Sequence, residues 1–492
     1  MTLTSLPFIL FLAAVVVLYN VAPQRHRWMV LLASSYCFYA FFKLPHLLVT
    51  LAAVTFISYA SALRIEGETS ATKKRWWLWS GITLNLALLI GLKYVPFLVE
   101  NVNDLLRLSA TPYELVAVNK LVAIGVSYYV FQGISYIVDV YFELLDAERH
   151  LGRFALYISF FPKLLQGPIE RVGELLPQLN LLLPTSAGNL SMGLNLFIWG
   201  LFKKVVVADR LASLVDPVYN NVTGHSGWSF FVATYLFAFQ IYFDFSGYTD
   251  MALGIARCFN IKLTQNFNAP YLASSTAEFW RRWHISFSSW ILDYIFKPLQ
   301  FSFRQWPRFG TPVALMLTFL ASGIWHGASW CFIIWGFLHG CYLASAVLVK
   351  KKKQTLYKSL GVAKSTPLKV IETVVTFHLI CFAWIFFRAS SVSDALYVVR
   401  HSFPELAHTL ISTGHLDLYM PAKEFVYALT LMVLIGIVGQ LDRAMAKESE
   451  AAGFFRVMNK TPILLRSAVY AFLSYMIVLC GAGTQSFIYL QF

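Results

Sequence analysis

The chain has 492 residues, 58% of them apolar and 13% charged, and its mean hydropathy is +0.61. Soluble domains carry roughly a quarter charged residues, and here apolar runs long enough to cross about 30 Å of hydrocarbon as helices recur along the sequence, which excludes a soluble protein. The formal net charge of +14 fits cytoplasmic loops rich in Lys and Arg that set topology and meet anionic lipid, and does not require nucleic acid as a partner.

The first stretch, "MTLTSLPFILFLAAVVVLYNVAPQRHR", has no basic residue ahead of its apolar run, whereas Arg25 and Arg27 follow it. It reads as a first transmembrane helix with the amino terminus outside, and not as a signal peptide. Further spans are expected to begin near Trp28, His46, Trp76 and Leu115. The basic stretches 24–27 and 64–75 are assigned to the cytoplasm and the mildly acidic 101–114 loop to the outside. Later spans are expected at 190–215, 226–258, 311–349 (long enough for two), 368–390, 424–441 and 464–483. The runs 350–353 and 443–466 are placed in the cytoplasm, and 401–422, which has no Lys or Arg, outside. The whole is expected to be all-α and polytopic, with about 11 crossings, built as a single domain over 1–492 without repeats or linkers. Cys37, Cys258, Cys331, Cys341, Cys381 and Cys480 lie in or beside apolar segments without a CxxC pair and read as packing residues.

Two segments depart from plain spans. Residues 150–179 are apolar but interrupted by Pro162, Gly167 and Pro168, with Lys163 among them. Residues 269–299 open with a capping box, Ser275 preceding Glu278 by three. The helix that follows, expected over 276–290, sets Arg281 and Arg282 among Trp280, Trp283 and Trp290 as an interfacial or re-entrant element. Broken backbone at membrane depth is tolerated where protein buries it or a water-filled cavity faces it, so these segments point to a central cavity.

Ionisable groups at such depth face a bundle interior or an aqueous path. His326 stands in "SGIWHGASW", inside the run Thr311–Val349, which holds no Asp, Glu, Lys or Arg. Gly323 and Gly327 flank it and would let a backbone or a ligand approach. It is either a core histidine bonded to a backbone carbonyl or a base. His284, with Trp280 one turn behind and Ser288 one turn ahead, taken alone suits an interfacial Trp/His belt. Asp244 and Asp250 interrupt "IYFDFSGYTDMALGIA", as a proton path, as an acid pair, or as ion-pair partners of Arg281 and Arg282 that hold the core.

Acyl transfer from a thioester to an alcohol needs a base for the hydroxyl proton, which a neutral imidazole supplies, and a cavity closed to water would suppress thioester hydrolysis. The sequence has no GxxxxGK[ST] loop, GxSxG elbow or HExxH helix. A metal on His284 and His326 would have no evident third ligand. Ser329 and Cys331 follow His326 closely enough to leave an acyl-enzyme open, and of the two only Ser329 would share the helical face of the histidine.

The blocks "FDFSGYTDMALGIARCFNI", "NFNAPYLASSTAEFWRRWHISFSSWILDYIFKPL", "SGIWHGASWCFIIWGFLHG" and the terminal "FIYLQF" resemble the membrane-bound O-acyltransferase family, and within it the bacterial branch typified by the alginate O-acetylation membrane subunit. "FQGISYIVDVY" and "YISFFPKLLQGPIER" fit the same pattern, so the resemblance runs from about residue 120 to the end. It implies His326 as the catalytic base of the "WHG" block and His284 as the polar landmark of the "RWH" block. The fold it implies is a ring of helices with a funnel from each face meeting near the histidine. It also implies an acetyl group taken from a cytoplasmic thioester, acetyl-CoA, without a bound cofactor or metal. That group would cross the inner membrane to a periplasmic or surface-exposed acetyltransferase partner, for O-acetylation of an exported polysaccharide such as alginate. Two alternatives stay open. One is D-alanyl transfer to teichoic acid from a carrier-protein thioester, against which the chain length leans. The other is a non-catalytic acyl or proton conduit through His326, Asp244 and Asp250.

Overall fold

A computed structural model describes residues 1–109, 113–116, 121–225, 227–363, 365–412, 461–480, 487 and 488, with a few isolated positions between 423 and 436. The described residues are helical apart from turns, loops and one isolated antiparallel bridge, Phe267 with Trp283. They form two compact units, 1–197 with 249–264, and 198–248 with 265–492.

The first unit contains α1 (Leu6–Val21), α2 (Arg27–Ala40), α3 (Pro45–Gly67), α4 (Ala71–Lys93) and α5 (Val95–Leu108). α4 and α5 meet at a bend of 69°. Pro96 sits in the first turn of α5, and a proline there has no N–H to extend the ladder of the helix before it. The stretch 101–108 is therefore helix, where an external loop was expected. The span expected from Leu115 is corrected as well. Residues 113–116 and 121–123 are not helical, and α6 (Val126–Tyr141) begins only after Gly125. Gly125 has φ +74°, and a Cβ there would lie 2.3 Å from the Leu164 carbonyl oxygen, so tertiary packing fixes this helix start. The interruption expected in 150–179 is present: α7 (Leu151–Ser159), a turn at Phe161–Lys163, and α8 (Val172–Asn180). Lys163 is buried there, and its Nζ donates to Gln132 Oε1 at 2.6 Å and to the Ile158 carbonyl at 3.2 Å.

α9 (Ala187–Phe202) continues through a π turn at Lys203–Ala208 into α10 (Asp209–Tyr219), and α11 covers Gly227–Arg257. The second unit holds four short helices or turns, α12 (Thr276–Arg282), α13 (Ile285–Ile291), a π turn at Leu292–Phe296 and α14 (Lys297–Ser302). It also holds the long α15 (Gly310–His326), α16 (Trp330–Ser359), α17 (Thr366–Arg388), α18 (Val392–Ser412) and α19 (Ile463–Cys480). The 311–349 run is thus two helices, as its length suggested. The lysines 350–353 extend α16 as helix, and Lys353 meets Glu372 of α17 at 2.8 Å. Residues 401–412 belong to α18, not to a loop; 413–422, and most of 424–441 and 443–466, lie outside the described residues.

Among the described residues, five helices or helix runs are long and apolar enough to cross a membrane: α3, α9 with α10, α16, α17 and α19; the bent α4–α5 pair would make a sixth. The protein is all-α and multi-pass. These described helices do not by themselves establish the expected count of about 11, and some apolar stretches, such as α1, form helices shorter than 18 residues.

Candidate active site

The continuous helix expected over 276–290 does not form. Ser275 does cap α12, its Oγ accepting the Glu278 N–H at 3.2 Å. The Glu278 carboxylate reaches back to Ser274, accepting from its N–H and its hydroxyl at 2.8 Å each, one residue before the position a capping box uses. α12 then stops at Arg282 because the segment 266–268 runs alongside. Asn268 N–H donates to the Arg282 carbonyl at 2.9 Å, and Ile285 N–H donates to the Asn266 carbonyl at 3.0 Å. The Asn266 side-chain oxygen accepts both the Ser286 N–H, at 3.2 Å, and the Ser286 hydroxyl, at 2.7 Å.

Between these bonds His284 is held in the left-handed region, φ +44° and ψ +54°. A non-glycine residue there costs about 1–3 kcal/mol and persists only where its surroundings over-determine it, as the Asn266 bonds do. His284 therefore joins two helices and does not share a helical face with Trp280 and Ser288. It is fully buried, its ring 4.7 Å from Phe245, 5.0 Å from Phe287 and 6.1 Å from Trp325, centre to centre.

His326 is the last residue of α15, at the turn between two long helices and not midway along one. Gly327 leaves the helix in extended conformation, and Ser329 caps α16 by accepting the Cys331 N–H at 3.3 Å. Ser329 consequently belongs to the next helix and is not on the histidine's face. The glycines do not leave room for a ligand. A Cβ on Gly323 would lie 2.3 Å from the Phe332 carbonyl oxygen, and one on Gly327 would lie 2.2 Å from the Phe332 ring, so both let α16 close onto α15. The His326 imidazole is 4% exposed and walled by Trp325 and Trp335 at 4.8 Å, Phe387 at 5.4 Å and Phe287 at 5.5 Å. Phe287 and Trp325 stack on each other at 4.3 Å, and both touch both histidines. His284 and His326 are thus brought to one aromatic cluster.

Asp244 is elsewhere. Its Oδ1 pairs with Lys204 Nζ at 2.6 Å, its Oδ2 accepts the Ile488 N–H at 2.9 Å, and Lys204 also meets Asp209 at 2.8 Å. The expected pairing with Arg281 and Arg282 is not made, since Arg282 turns to Glu278 at 2.5 Å and Arg281 is exposed. Asp250 falls in the other compact unit. Sequence reasoning passed over Lys204, Asn266 and His339. His339 is a second histidine in the same uncharged run, fully buried, and its Nδ1 accepts the Trp280 indole N–H at 3.2 Å; its signal was the one that singled out His326.

Arranged this way, the site sets two buried imidazoles against apolar aromatic rings. Residues 144–352, which include both histidines, match the membrane-bound O-acyltransferase family. The chain is 33% identical to the probable alginate O-acetylase AlgI of Pseudomonas putida over 98% of each chain. It is 34% identical to the peptidoglycan O-acetyltransferase of Helicobacter pylori, over 76% of this chain and 72% of that one. A teichoic acid D-alanyltransferase of Bacillus subtilis is 29% identical over 55% of this chain and 69% of its own. With its long apolar helices and this match over most of its length, the chain belongs to the membrane-bound O-acyltransferase family and is a multi-pass O-acyltransferase.

Proposed function

We propose that the protein takes an acetyl group from cytoplasmic acetyl-CoA and passes it across the inner membrane for O-acetylation of an exported polysaccharide, with His326 as general base. The observation that carries the reading is the placement of His326: a buried imidazole at a helix end, inside a wall of four aromatic rings. The relatives named for alginate and for peptidoglycan differ in polymer and share the acetyl group, which supports acetyl as the cargo and a sugar hydroxyl as the ultimate acceptor. His326 takes the proton of the acceptor hydroxyl as its oxygen attacks the thioester carbonyl, then returns it to the leaving thiolate. The ring wall keeps bulk water from competing. His284, held in a strained turn against the same rings, orients the acceptor. A periplasmic or surface-exposed acetyltransferase receives the group, and the amino terminus faces outside.

His326→Gln should lower acetyl transfer by about 10²–10⁴-fold at unchanged protein level. The amide keeps polar contacts near the rings but cannot take a proton at neutral pH. Transfer of label from acetyl-CoA in membrane preparations, together with the O-acetyl content of exported polymer, measures it. Near-normal transfer by His326→Gln ends the general-base reading, and transfer that requires a carrier-protein thioester moves the donor away from acetyl-CoA.

A further inference from the structure

The helical hairpin around His326 buries polar hydrogens for which no acceptor is found among the described residues. On α15, Ser322 lies one turn before His326 on the same face; on α16, His339 lies one turn after Trp335. The Trp335 ring is edge-on to His326 at 4.8 Å and to His339 at 4.8 Å, and it stacks on Trp384 of α17 at 5.9 Å and 20°. Ser322, Trp335, His339 and Trp384 are all 0% exposed. Among the described residues, no partner is found for Trp335 Nε1, Trp384 Nε1, His339 Nε2 or Ser322 Oγ. Because His339 Nδ1 accepts from Trp280, the proton of the neutral ring sits on Nε2. The group therefore presents two indole N–H, one imidazole N–H and one hydroxyl.

Native interiors leave few buried donors unpaired, and a cluster of them selects a guest that accepts and does not donate. A cation is excluded by that chemistry, and an apolar guest would leave every donor unmet. A carbonyl oxygen fits, and it fits better as negative charge develops on it. Of the four groups, Trp335 is the one whose ring touches the candidate base. Its stack on Trp384 and its contacts with His326 and His339 fix the indole before any substrate arrives, as transition-state stabilisation by preorganised donors requires.

We propose that Trp335 is a further catalytic residue, its indole N–H donating to the acyl carbonyl oxygen during transfer. This rests on the acyl-transfer reading above. The acceptor oxygen forms a bond to the carbonyl carbon while its proton passes to His326. The carbonyl π pair moves onto the oxygen, which accepts from Trp335 Nε1–H. The pair then returns, the carbon–sulfur bond breaks, and the thiolate takes the proton from His326. No oxidant or further reactant is needed.

The test replaces Trp335 by β-(3-benzothienyl)alanine, which keeps the shape of indole and puts sulfur where the N–H was, with Trp335→Phe and His326→Gln alongside in the full-length protein. The benzothienyl form should lose about 10²–10³-fold in kcat with the apparent KM for thioester within about threefold. A second readout does not depend on turnover. The carbonyl stretch of ¹³C-labelled acetonyl-CoA, the ketone analogue of acetyl-CoA, should move to higher frequency in the benzothienyl protein than in the wild type. If His326→Gln is inactive while the benzothienyl form keeps kcat within about threefold, or if the stretch does not move, Trp335 is not the donor although the reaction stands. If His326→Gln stays active, the acyl-transfer reading falls and takes this assignment with it.

Discussion

His284 shows how much of a site can be held by one remote residue. Its left-handed backbone depends on Asn266, whose carbonyl and side-chain oxygen together accept three donors from Ile285 and Ser286. Asn266→Ala leaves the carbonyl bond but strips Ser286 of its acceptor for two buried donors. The expected loss is about 1–3 kcal/mol, read as a lower unfolding temperature in detergent, with acyl transfer falling further than the loss of folded protein because the His284 ring is freed. Unchanged stability would mean the turn is held without Asn266. In the sequence, His326 stood out as a titratable group in an uncharged run, a signal that needs no neighbours in space. The conformation of His284 left no such trace, because it is imposed by the 266–268 segment packing beside 282–285, and the local pattern of apolar and charged residues favoured a continued helix.

At the level of elements, the hairpin of α15 and α16 was legible as two helices in one long apolar run, while its turning point was not. Ser329 marks that point as an N-cap, a role any Ser in a helix-length run can hide. Removing it should cost about 1 kcal/mol, so Ser329→Ala is expected to lower the unfolding temperature modestly and leave acyl transfer per folded molecule unchanged. Ser329 was also, with Cys331, a candidate for an acyl-enzyme, and the two roles of Ser329 separate cleanly. A nucleophile would lose nearly all turnover with little change in stability, and that outcome would reverse the assignment. Ser275→Ala should behave similarly, at about 1 kcal/mol, but its effect is confined to α12, since no helix runs through to 290. The α6 start was missed for the same reason as the α12 end: Gly125 and the Leu164 carbonyl set it from across the fold, and apolar periodicity continues past both.

At the level of the whole molecule, Lys/Arg asymmetry predicts that residue 352, on the extension of α16, faces the cytoplasm and that the amino terminus faces out. Membrane-impermeant thiol labelling from outside should therefore modify a cysteine introduced at position 2 and spare one at 352, and the reverse pattern would invert the topology. The other large-scale feature, the anchoring of Phe487 and Ile488, could not be read from charge patterns. Lys204 is 1% exposed, meets two carboxylates, lies 4.6 Å from the centre of the Phe487 ring, and shares Asp244 with the Ile488 N–H. Arg281 and Arg282 lie 37 and 38 residues after Asp244 and Lys204 lies 40 before it, so sequence spacing offered no reason to prefer the lysine. Breaking a buried ion pair by deleting one partner costs about 3–5 kcal/mol, because the charge left behind is uncompensated. Lys204→Met takes their shared cation from both Asp209 and Asp244 and should be the most damaging substitution in the cluster. Asp244→Asn leaves Lys204 its pair with Asp209, and the amide oxygen can still accept from Ile488, so its cost should be clearly smaller. The double variant Lys204→Met with Asp244→Asn should recover part of the Lys204→Met loss, since it removes one of the two carboxylates that lose the lysine. Unfolding temperatures of the three proteins at matched pH give the order, and a Lys204→Met protein as stable as Asp244→Asn would show that the two carboxylates do not depend on this lysine.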